Sequence, residues 1–172
     1  MPTPAYLSIE GATQGAITDD TFTEASVGNV YQEGHENEIL VQSFRHNLTV
    51  PTDIQSGQPT GQRRHKPLVI TKVFDKSSPL LYTALATGER LTKCNLKFYR
   101  TSVSGTLEHY FTILLEDAII TDIQAYFHNC LDPNCAHFTH LEDVSYTYRK
   151  ITWSHEASGT SGADDWRSPK KG

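Results

Sequence analysis

The segment from Lys66 to Gly88, KPLVITKVFDKSSPLLYTALATG, encodes a strand, a turn and a helix in immediate succession. In its first half, apolar residues fill both phases of a two-residue alternation, which is typical of a strand buried on both faces. They are Leu68, Ile70 and Phe74 in one phase and Val69 and Val73 in the other. Asp75 and Lys76 then turn the chain, so the buried strand is predicted to end there.

The helix that follows carries signals for both of its ends. Ser78 can cap the first turn, Pro79 suits the first helical position, and Gly88 can end the last turn. One face is apolar and consists of Leu80, Leu81, Ala84 and Leu85. The sequence therefore predicts one short α-helix, from about Pro79 to Thr87, packed outside a protein whose other apolar residues mostly alternate as in β-strands.

The strand after this helix has one apolar and one basic face. Its apolar residues are Cys94, Leu96 and Phe98, and Lys93 and Lys97 alternate with them. Such alternation buries one face of a strand and leaves the other in solvent. The predicted core is thus Leu68, Ile70, Phe74, Leu80, Leu81, Leu85, Cys94, Leu96 and Phe98.

Near the end of the chain the alternation shifts by one residue. The apolar positions are even at Val144, Tyr146 and Tyr148 and odd at Ile151 and Trp153. A β-bulge or a sharp bend near Arg149 and Lys150 would absorb the extra residue and let one long strand serve two sheets. Small barrels close in this way, so the predicted fold is mainly β, a two-sheet β-barrel or sandwich.

Composition limits the class of protein. The chain has 172 residues, 37% of them hydrophobic, and a formal net charge of -5. This length suits one domain, predicted over residues 1–156, and the acidic balance argues against a nucleic-acid partner. No apolar run approaches the ~20 residues that span a bilayer, and the N-terminal sequence lacks the basic and apolar regions of a secretory signal. These features predict a cytoplasmic protein that does not insert into membranes.

Two polar segments are candidate interaction elements. Residues 47–66 form a long loop rich in Gly and Pro, and loops of this length are often functional, although a mobile tip is the alternative. Residues 157–172 are small and polar, which predicts a flexible tail, but they include Trp166, either a docking aromatic or an accident of sequence. The candidate assembly residues are Asn47, Asp53, Gln55, Gln58, Gln62, Arg63 and Arg64 in the loop, and Ser158 and Trp166 in the tail.

Several phrases of the sequence, taken in order, resemble one known family. TKVFDKSSPLLYTAL, LEHYFTILLEDAIITDI and LEDVSYTYRKITW, preceded by AYLSIEGATQG, are similar to segments of the Hcp family, the haemolysin-coregulated tube subunits of the bacterial type VI secretion system. The resemblance covers nearly all of the chain from Ala5 to Glu156. It implies a homohexameric ring with a sheet on its inner wall and the helix on its outer wall.

The same resemblance implies a set of partners and a route. Rings would stack into a hollow tube, capped by the valine-glycine repeat spike protein and enclosed by a contractile sheath on a baseplate, with effector proteins in the lumen. Assembly would take place in the cytoplasm and be followed by export to the extracellular space or a target cell without a cleavable signal peptide. The long loop would stack one ring on the next, and the tail would reach a neighbouring subunit or the spike.

The string HNCLDPNCAHFTH between two predicted strands holds the residues most suited to metal chemistry. They are His128, Cys130, Cys135, His137 and His140. Cys and His are the usual ligands of zinc, but the two His residues follow the second Cys at once and leave no unit to fold around a metal. The family supplies no ligands here. A structural zinc, a Cys130–Cys135 disulfide formed after export and an ordinary exposed loop remain open, and no cofactor is expected.

No residue set in the chain matches the requirements of a catalytic site. A nucleophilic enzyme needs a Ser or Cys beside a His that a third group orients, and the sequence has no Gly-x-Ser-x-Gly elbow and no phosphate-binding GxxxxGK[ST] motif. The Cys and His residues of the 128–140 string could form a dyad, but no oxyanion donor is evident. The chain is therefore predicted not to be an enzyme.

The rival function is a ligand-binding or single-stranded nucleic-acid-binding barrel. Small β-barrels can stack bases on aromatic side chains, and Tyr146, Tyr148 and Trp153 could serve as such platforms. The acidic balance opposes this interpretation, and the alternation predicts that Tyr146 and Tyr148 point inward. A mass measurement under native conditions discriminates between the two functions, because a ring-sized oligomer favours the tube subunit and a monomer that binds oligonucleotide favours the barrel.

Overall fold

The computed structural model of the protein describes residues 3–28 and 33–168. The strands are β1 (Ala5–Gly11), β2 (Gly15–Ala16), β3 (Ile39–Val41), β4 (Ser43–Arg45), β5 (Leu48–Thr49), β6 (Arg64–His65), β7 (Leu68–Val73), β8 (Leu91–Thr101), β9 (Leu107–Tyr126), β10 (Leu141–Thr147), β11 (Lys150–His155) and β12 (Thr160–Asp165). The α-helices are α1 (Glu24–Val27) and α2 (Ser78–Thr87), and a 3-10 helix covers Pro133–Cys135. The protein is mainly β, as predicted.

The strands form two antiparallel sheets that share the long strand β9. The first sheet has the order β1-β8-β9-β11-β12. The short strands β2 and β3 both pair with the edge of β1 that faces away from β8. The second sheet has the order β9-β10-β7-β4, and β5 pairs with β6 separately. Within residues 3–28 and 33–168 the ladders do not close on themselves. The architecture is an open two-sheet sandwich, which corrects the barrel part of the prediction.

The sheets meet at a corner formed by one short segment of chain. β3 pairs with β1 of the first sheet, and β4, one residue later, pairs with β7 of the second. Between them, the amide of Gln42 donates to the carbonyl of Thr71 at 2.8 Å. The two sheets are therefore linked here by β3 and β4, which follow one another along the chain. A closed barrel would instead have a ladder of hydrogen bonds between β1 and β7.

The predicted bend near Arg149 and Lys150 is confirmed. β10 belongs to the second sheet and β11 to the first, and the chain turns between them at residues 148–149. The partner strand β9 bends at the same level, where Asp117 has a positive φ of 52°. Arg149 Nε donates to Asp117 Oδ2 at 2.7 Å, which holds the two bends together. β9 itself is continuous through this bend, from Leu107 to Tyr126.

Most of the predicted core is buried between the sheets. Leu68, Ile70, Leu81, Cys94 and Leu96 are buried, and Leu80, Leu85 and Phe98 are partly buried and pack against them. Burial raises the pKa of the Cys94 thiol strongly. Phe74 was also placed in the core, and this is wrong because its side chain is 45% exposed. β7 ends at Val73, so the alternation that pointed Phe74 inward stops one residue before it.

Helix α2 begins one residue earlier than predicted and ends as predicted. Ser77 is its N-cap and Pro79 lies in the first turn. Asp75 Oδ1 accepts a hydrogen bond from the Ser77 amide at 2.9 Å, which closes a turn just before the helix. Ser78, the predicted N-cap, is instead the first residue inside the helix, and the N-cap Ser77 makes no side-chain capping hydrogen bond. Gly88 ends the helix with a φ of 66°, a left-handed conformation that favours glycine. None of the described helices is long and apolar enough to cross a membrane.

Candidate assembly surface

The long loop, residues 47–66, folds back on itself as a hairpin. At its base β5 and β6 pair, and the amide of Lys66 donates to the carbonyl of Asn47 at 3.0 Å. Farther out, Thr52 and Pro59 form a single antiparallel bridge. These pairings give the loop a defined direction. It therefore presents its outer residues, 53–58, at a fixed distance from the sandwich.

The tip of this hairpin, residues 53–58, is held by local hydrogen bonds. The Asp53 carboxylate accepts from the Gln55 amide at 3.1 Å and from the Ser56 hydroxyl at 3.0 Å, and both bonds lower the pKa of Asp53. The Asp53 amide donates to the Gln58 carbonyl at 2.8 Å. The side chain of Ile54 is 100% exposed at the tip. A fully exposed isoleucine on an ordered turn is available for burial by another subunit.

The tail was predicted to be flexible from residue 157 onwards, and the structure contradicts this for Thr160–Asp165. These residues form β12, which pairs in antiparallel register with all of β11. Ser158 lies in the connecting turn, where its amide donates to His155 Nδ1 at 3.1 Å. Residues 169–172, also part of the predicted tail, lie outside the described residues. Residues 160–165 of the tail are thus an added edge strand of the first sheet.

The base of the loop and the tail are joined by a forked ion pair. Arg63 Nε donates to Asp164 Oδ2 at 2.8 Å and Arg63 Nη2 to Asp164 Oδ1 at 2.9 Å. Nη2 also donates to the carbonyl of Asp165 at 2.9 Å. These charge-assisted bonds from Arg63 lower the pKa of the Asp164 carboxyl. Of the candidate residues, Arg63 is therefore a positioning residue that fixes the loop to β12.

A chain of hydrogen bonds continues from Asp164 beneath the loop. His65 Nε2 lies 2.6 Å from Asp164 Oδ2, and His65 Nδ1 lies 2.6 Å from the Tyr148 hydroxyl. His46 Nε2 lies 2.8 Å from the same hydroxyl. One consistent arrangement has His46 donating to Tyr148, Tyr148 to His65, and His65 to Asp164. Burial, and to a lesser extent the charge of His65, lowers the pKa of His46. Burial and the negative charge of Asp164 raise the pKa of Tyr148. This environment therefore favours the neutral forms of His46 and Tyr148.

Trp166 packs against this chain of rings. Its centroid lies 5.3 Å from that of His65 and 6.2 Å from that of Tyr148. Its amide donates to the carbonyl of Arg149 at 2.8 Å, at the bend between the two sheets. The side chain remains 38% exposed. The Trp166 side chain therefore packs partly against its own subunit and remains partly exposed at the surface.

The structure brings together only some of the predicted assembly residues. Arg63 and Trp166 meet through Asp164 and His65, whereas the remaining loop residues lie along the exposed hairpin and Ser158 lies at a separate turn. Those exposed loop residues are Asn47, Asp53, Gln55, Gln58, Gln62 and Arg64. Sequence reasoning missed His46, His65 and Asp164. The position of one histidine at each end of the long loop was a usable signal, because loop ends lie close together.

The Cys and His residues of the 128–140 string are not assembled into a metal site. Across the part of the chain that the structure describes, no three His, Cys, Asp or Glu side chains are grouped to hold a metal. Cys130 and Cys135 are free thiols, and Cys135 is the last residue of the 3-10 helix. His128 and His137 instead pack on Phe138, with ring centroids 4.2 and 4.1 Å away. These residues lie on a mostly exposed connection between β9 and β10.

The aromatic residues of the rival function are unsuited to stacking bases. Tyr146 is 1% exposed and Tyr148 is 4% exposed, as the alternation predicted, and Trp153 is partly buried against the core. Burial raises the pKa of Tyr146 well above its ordinary value. Stacking platforms need an open ring face, so the two tyrosines cannot act as a nucleic-acid surface.

Comparisons with known proteins give one consistent result. The family described as "Type VI secretion system effector, Hcp" matches residues 6–155. The chain is 68% identical to the "Major exported protein" of Pseudomonas aeruginosa over 172 residues, all of both chains. The fold is similar to that of the secreted protein Hcp3 of Pseudomonas aeruginosa (TM-score 0.83, 59% identity, 97% of this chain and 100% of that one). It is also similar to Hcp1 of Escherichia coli EAEC 042 (TM-score 0.78, 30% identity, 96% and 99%).

Proposed function

The chain belongs to the Hcp family of type VI secretion proteins, and from this premise we propose that its copies close into a hexameric ring and that the rings stack into the hollow inner tube. The family match over residues 6–155 includes α2 and both sheets apart from β12 and the first residue of β1. A head-to-tail interface between copies either closes into a ring or continues as a filament, and a tube needs both kinds of contact. A body in which one strand serves both sheets is rigid enough to repeat such contacts accurately.

The long loop is the stacking element in this proposal. The observation that carries it is the fork from Arg63 to Asp164, which fixes the loop base while Ile54 at the tip stays fully exposed. A loop held at its base loses little conformational entropy when a neighbour binds its tip, so even a small contact is productive. The exposed part of Trp166, beside the same base, supplies an apolar contact for the neighbouring ring or the spike.

Further partners follow from the family. We assign the valine-glycine repeat spike protein to the end of the tube, the contractile sheath and baseplate to its outside, and effector proteins to its lumen. The subunit assembles in the cytoplasm and leaves the cell with the machine. Its contribution is assembly and transport, without a catalytic step of its own.

Replacing the tip tests the stacking role directly. Because Thr52 and Pro59 already bridge across the hairpin, residues 53–58 can be exchanged for Asn-Gly, a two-residue turn that joins paired strands. The exchange spares Arg63 and the base. Rings with an unchanged number of subunits should form, as measured by native mass, while tube length in electron micrographs and the secreted amount should fall to background.

A matched control keeps the length of the tip and changes its side chains. Residues 53–58 replaced by six Gly and Ser residues should also form rings and should also fail to elongate, if the side chains make the contact. Normal tubes from the shortened loop would overturn the stacking role. Loss of the ring itself would place the loop in the lateral interface between subunits.

A further inference from the structure

The connection between β9 and β10, residues 127–140, holds two thiols that lie outside the candidate assembly surface. Cys130 is exposed and Cys135 is half-buried, and both are free. The third cysteine, Cys94, lies on β8 inside the core and is 1% exposed. A reagent in the solvent can therefore reach Cys130 and Cys135 but not Cys94.

The two sides of this connection stay in contact beyond the sheet. The ladder between β9 and β10 ends where Tyr126 lies opposite Leu141. Farther along the connection, the rings of His128 and Phe138 pack against each other with centroids 4.2 Å apart. The two sides therefore remain close together on the way to the tip.

Cys130 and Cys135 occupy corresponding positions on the two sides. Cys130 follows His128 closely, and Cys135 shortly precedes Phe138, so both cysteines lie on the tip side of the ring contact. The chain between them reverses through tight turns, in which the Cys135 amide donates to the Asp132 carbonyl at 3.0 Å. A disulfide joins residues whose Cα atoms are about 4.4–6.8 Å apart, which includes the separation of opposed residues in an antiparallel pair.

The tip can adjust without disturbing the sheets, because its hydrogen bonds are local. The Asp132 amide donates to the Asn129 carbonyl at 3.1 Å, and the Asn134 amide donates to Asp132 Oδ1 at 3.0 Å. In the part of the chain that the structure describes, no hydrogen bond joins residues 129–138 to a sheet or to α2. A small movement that brings the two sulfur atoms together therefore breaks no contact of the core.

We propose that Cys130 and Cys135 form a disulfide across this connection by exchange with a low-molecular-weight disulfide. The thiolate of the more exposed Cys130 attacks one sulfur of the reagent, which forms a mixed disulfide and releases one thiol. The thiolate of Cys135 then attacks the Cys130 sulfur, which forms the Cys130–Cys135 bond and releases the second thiol. The two electrons and the two protons lost by the cysteines are carried away by the two released thiols.

The thiol pair responds to the compartment in which the subunit lies. Thiols stay reduced in the cytoplasm, and disulfides persist in oxidising surroundings outside it. The closed ring then restricts the tip, where Leu131 is 87% exposed, to fewer conformations. The change of compartment rests on the proposed export, whereas the exchange reaction is a property of the purified chain, so either can fail without the other.

Equilibration of the purified full chain with mixtures of reduced and oxidised glutathione tests the reaction. After alkylation of the denatured protein, the oxidised chain should carry an alkyl group on Cys94 alone, and the reduced chain should carry one on every cysteine. Endoproteinase Asp-N cleaves before Asp132 and so separates Cys130 from Cys135. Only a disulfide between these two keeps the resulting fragments, 122–131 and 132–142, joined until a reductant is added.

The same equilibrium measures what the fold contributes. The equilibrium constant for forming the disulfide should be at least about tenfold higher in the native chain than in concentrated urea, because the fold holds the two sides of the connection together. Equal constants in the two solvents would overturn the inference that the fold brings the two cysteines together. A glutathione adduct that persists on Cys130 while Cys135 stays reduced would overturn the pairing.

Two variants locate the cause of that difference. Phe138→Ala removes the ring contact with His128 and should lower the native equilibrium constant severalfold. Leu131→Ala, at the exposed tip, is the matched control and should leave the constant unchanged. An unchanged constant in Phe138→Ala would contradict the positioning role of the ring contact. Dimers joined by Cys130–Cys130 bonds on a non-reducing gel would refute a disulfide within one subunit.

Discussion

The core beneath α2 and the contact between the long loop and the tail both join residues that are distant in sequence, but different forces hold them. Leu81 and Ala84 are buried against both sheets, where attraction is non-directional and every lost methylene leaves a void. Arg63, His65 and Asp164 meet near the surface through hydrogen bonds of fixed geometry. The core therefore determines whether the chain folds, and the loop–tail contact determines where the loop points. Variants that affect one region and spare the other can test this division.

The largest effect is expected in the core. Leu81 is 0% exposed, so Leu81→Ala should lower the free energy of unfolding by about 2–5 kcal/mol, and Leu81→Asp, which buries an unpaired charge, should prevent folding. Thr83→Asp on the exposed face of the same helix is the control and should remain folded. Urea unfolding at a fixed protein concentration measures all three. Soluble, ring-forming Leu81→Asp protein would show that α2 packs by another face.

The loop–tail contact should cost less to break. Arg63→Ala removes a forked ion pair whose side chains are 19% and 22% exposed, so the free energy of unfolding should fall measurably, and by less than in Leu81→Ala. Arg100→Ala is the matched control, because it removes an ion pair with Glu108 whose side chains are more exposed, at 42% and 37%. This substitution should lower the free energy of unfolding by less than about 1 kcal/mol. Arg63→Ala should also shorten tubes while leaving ring mass unchanged. Equal losses of unfolding free energy in the two variants would show that Arg63 has no special role in holding the loop.

The two regions also differ in how far the sequence predicted them. β7 and α2 were identified because their signals are local: alternation, a proline in the first turn and Gly88 at the end. Phe74 was misplaced because the end of β7 depends on where β10 stops pairing, which the alternation does not encode. β12, TSGADD, has little intrinsic strand propensity, and it forms where β11 offers an edge and Arg63 holds Asp164. Contacts between distant polar residues leave no periodic trace in a sequence.

Mild acid should weaken the loop–tail contact and leave the apolar core unchanged. Burial and the neighbouring His65 lower the pKa of His46, so the folded protein favours the neutral imidazole bonded to Tyr148. This contribution is complete above the ordinary histidine pKa of about 6.5 and is lost as the pH falls toward the lowered value. The free energy of unfolding should therefore fall more between pH 7.5 and pH 5 in the native chain than in His46→Gln. A parallel fall in both chains would contradict this.

The smallest effect on folding is expected at the tip of the long loop, where the comparison becomes sharpest. Ile54 is 100% exposed, so Ile54→Ser removes no contact within the subunit and should change the free energy of unfolding by less than about 0.5 kcal/mol. If a neighbouring ring covers this side chain, the same substitution removes apolar burial from the stacked state only, and tubes should become shorter at unchanged ring mass.

Val103→Ser provides the matched control for the tip, because Val103 is equally exposed on the turn between β8 and β9 and lies outside the candidate assembly surface. Tube length in electron micrographs and urea unfolding, measured on both variants, separate the two contributions. Shorter tubes from Ile54→Ser alone would mean that an apolar contact missing from the isolated subunit is made between rings. Equal tube lengths for the native chain and Ile54→Ser would mean that the polar groups of the tip make the stacking contact. The Gly-Ser replacement of residues 53–58 removes both Ile54 and these polar groups, so its failure to elongate would then be due to the polar groups.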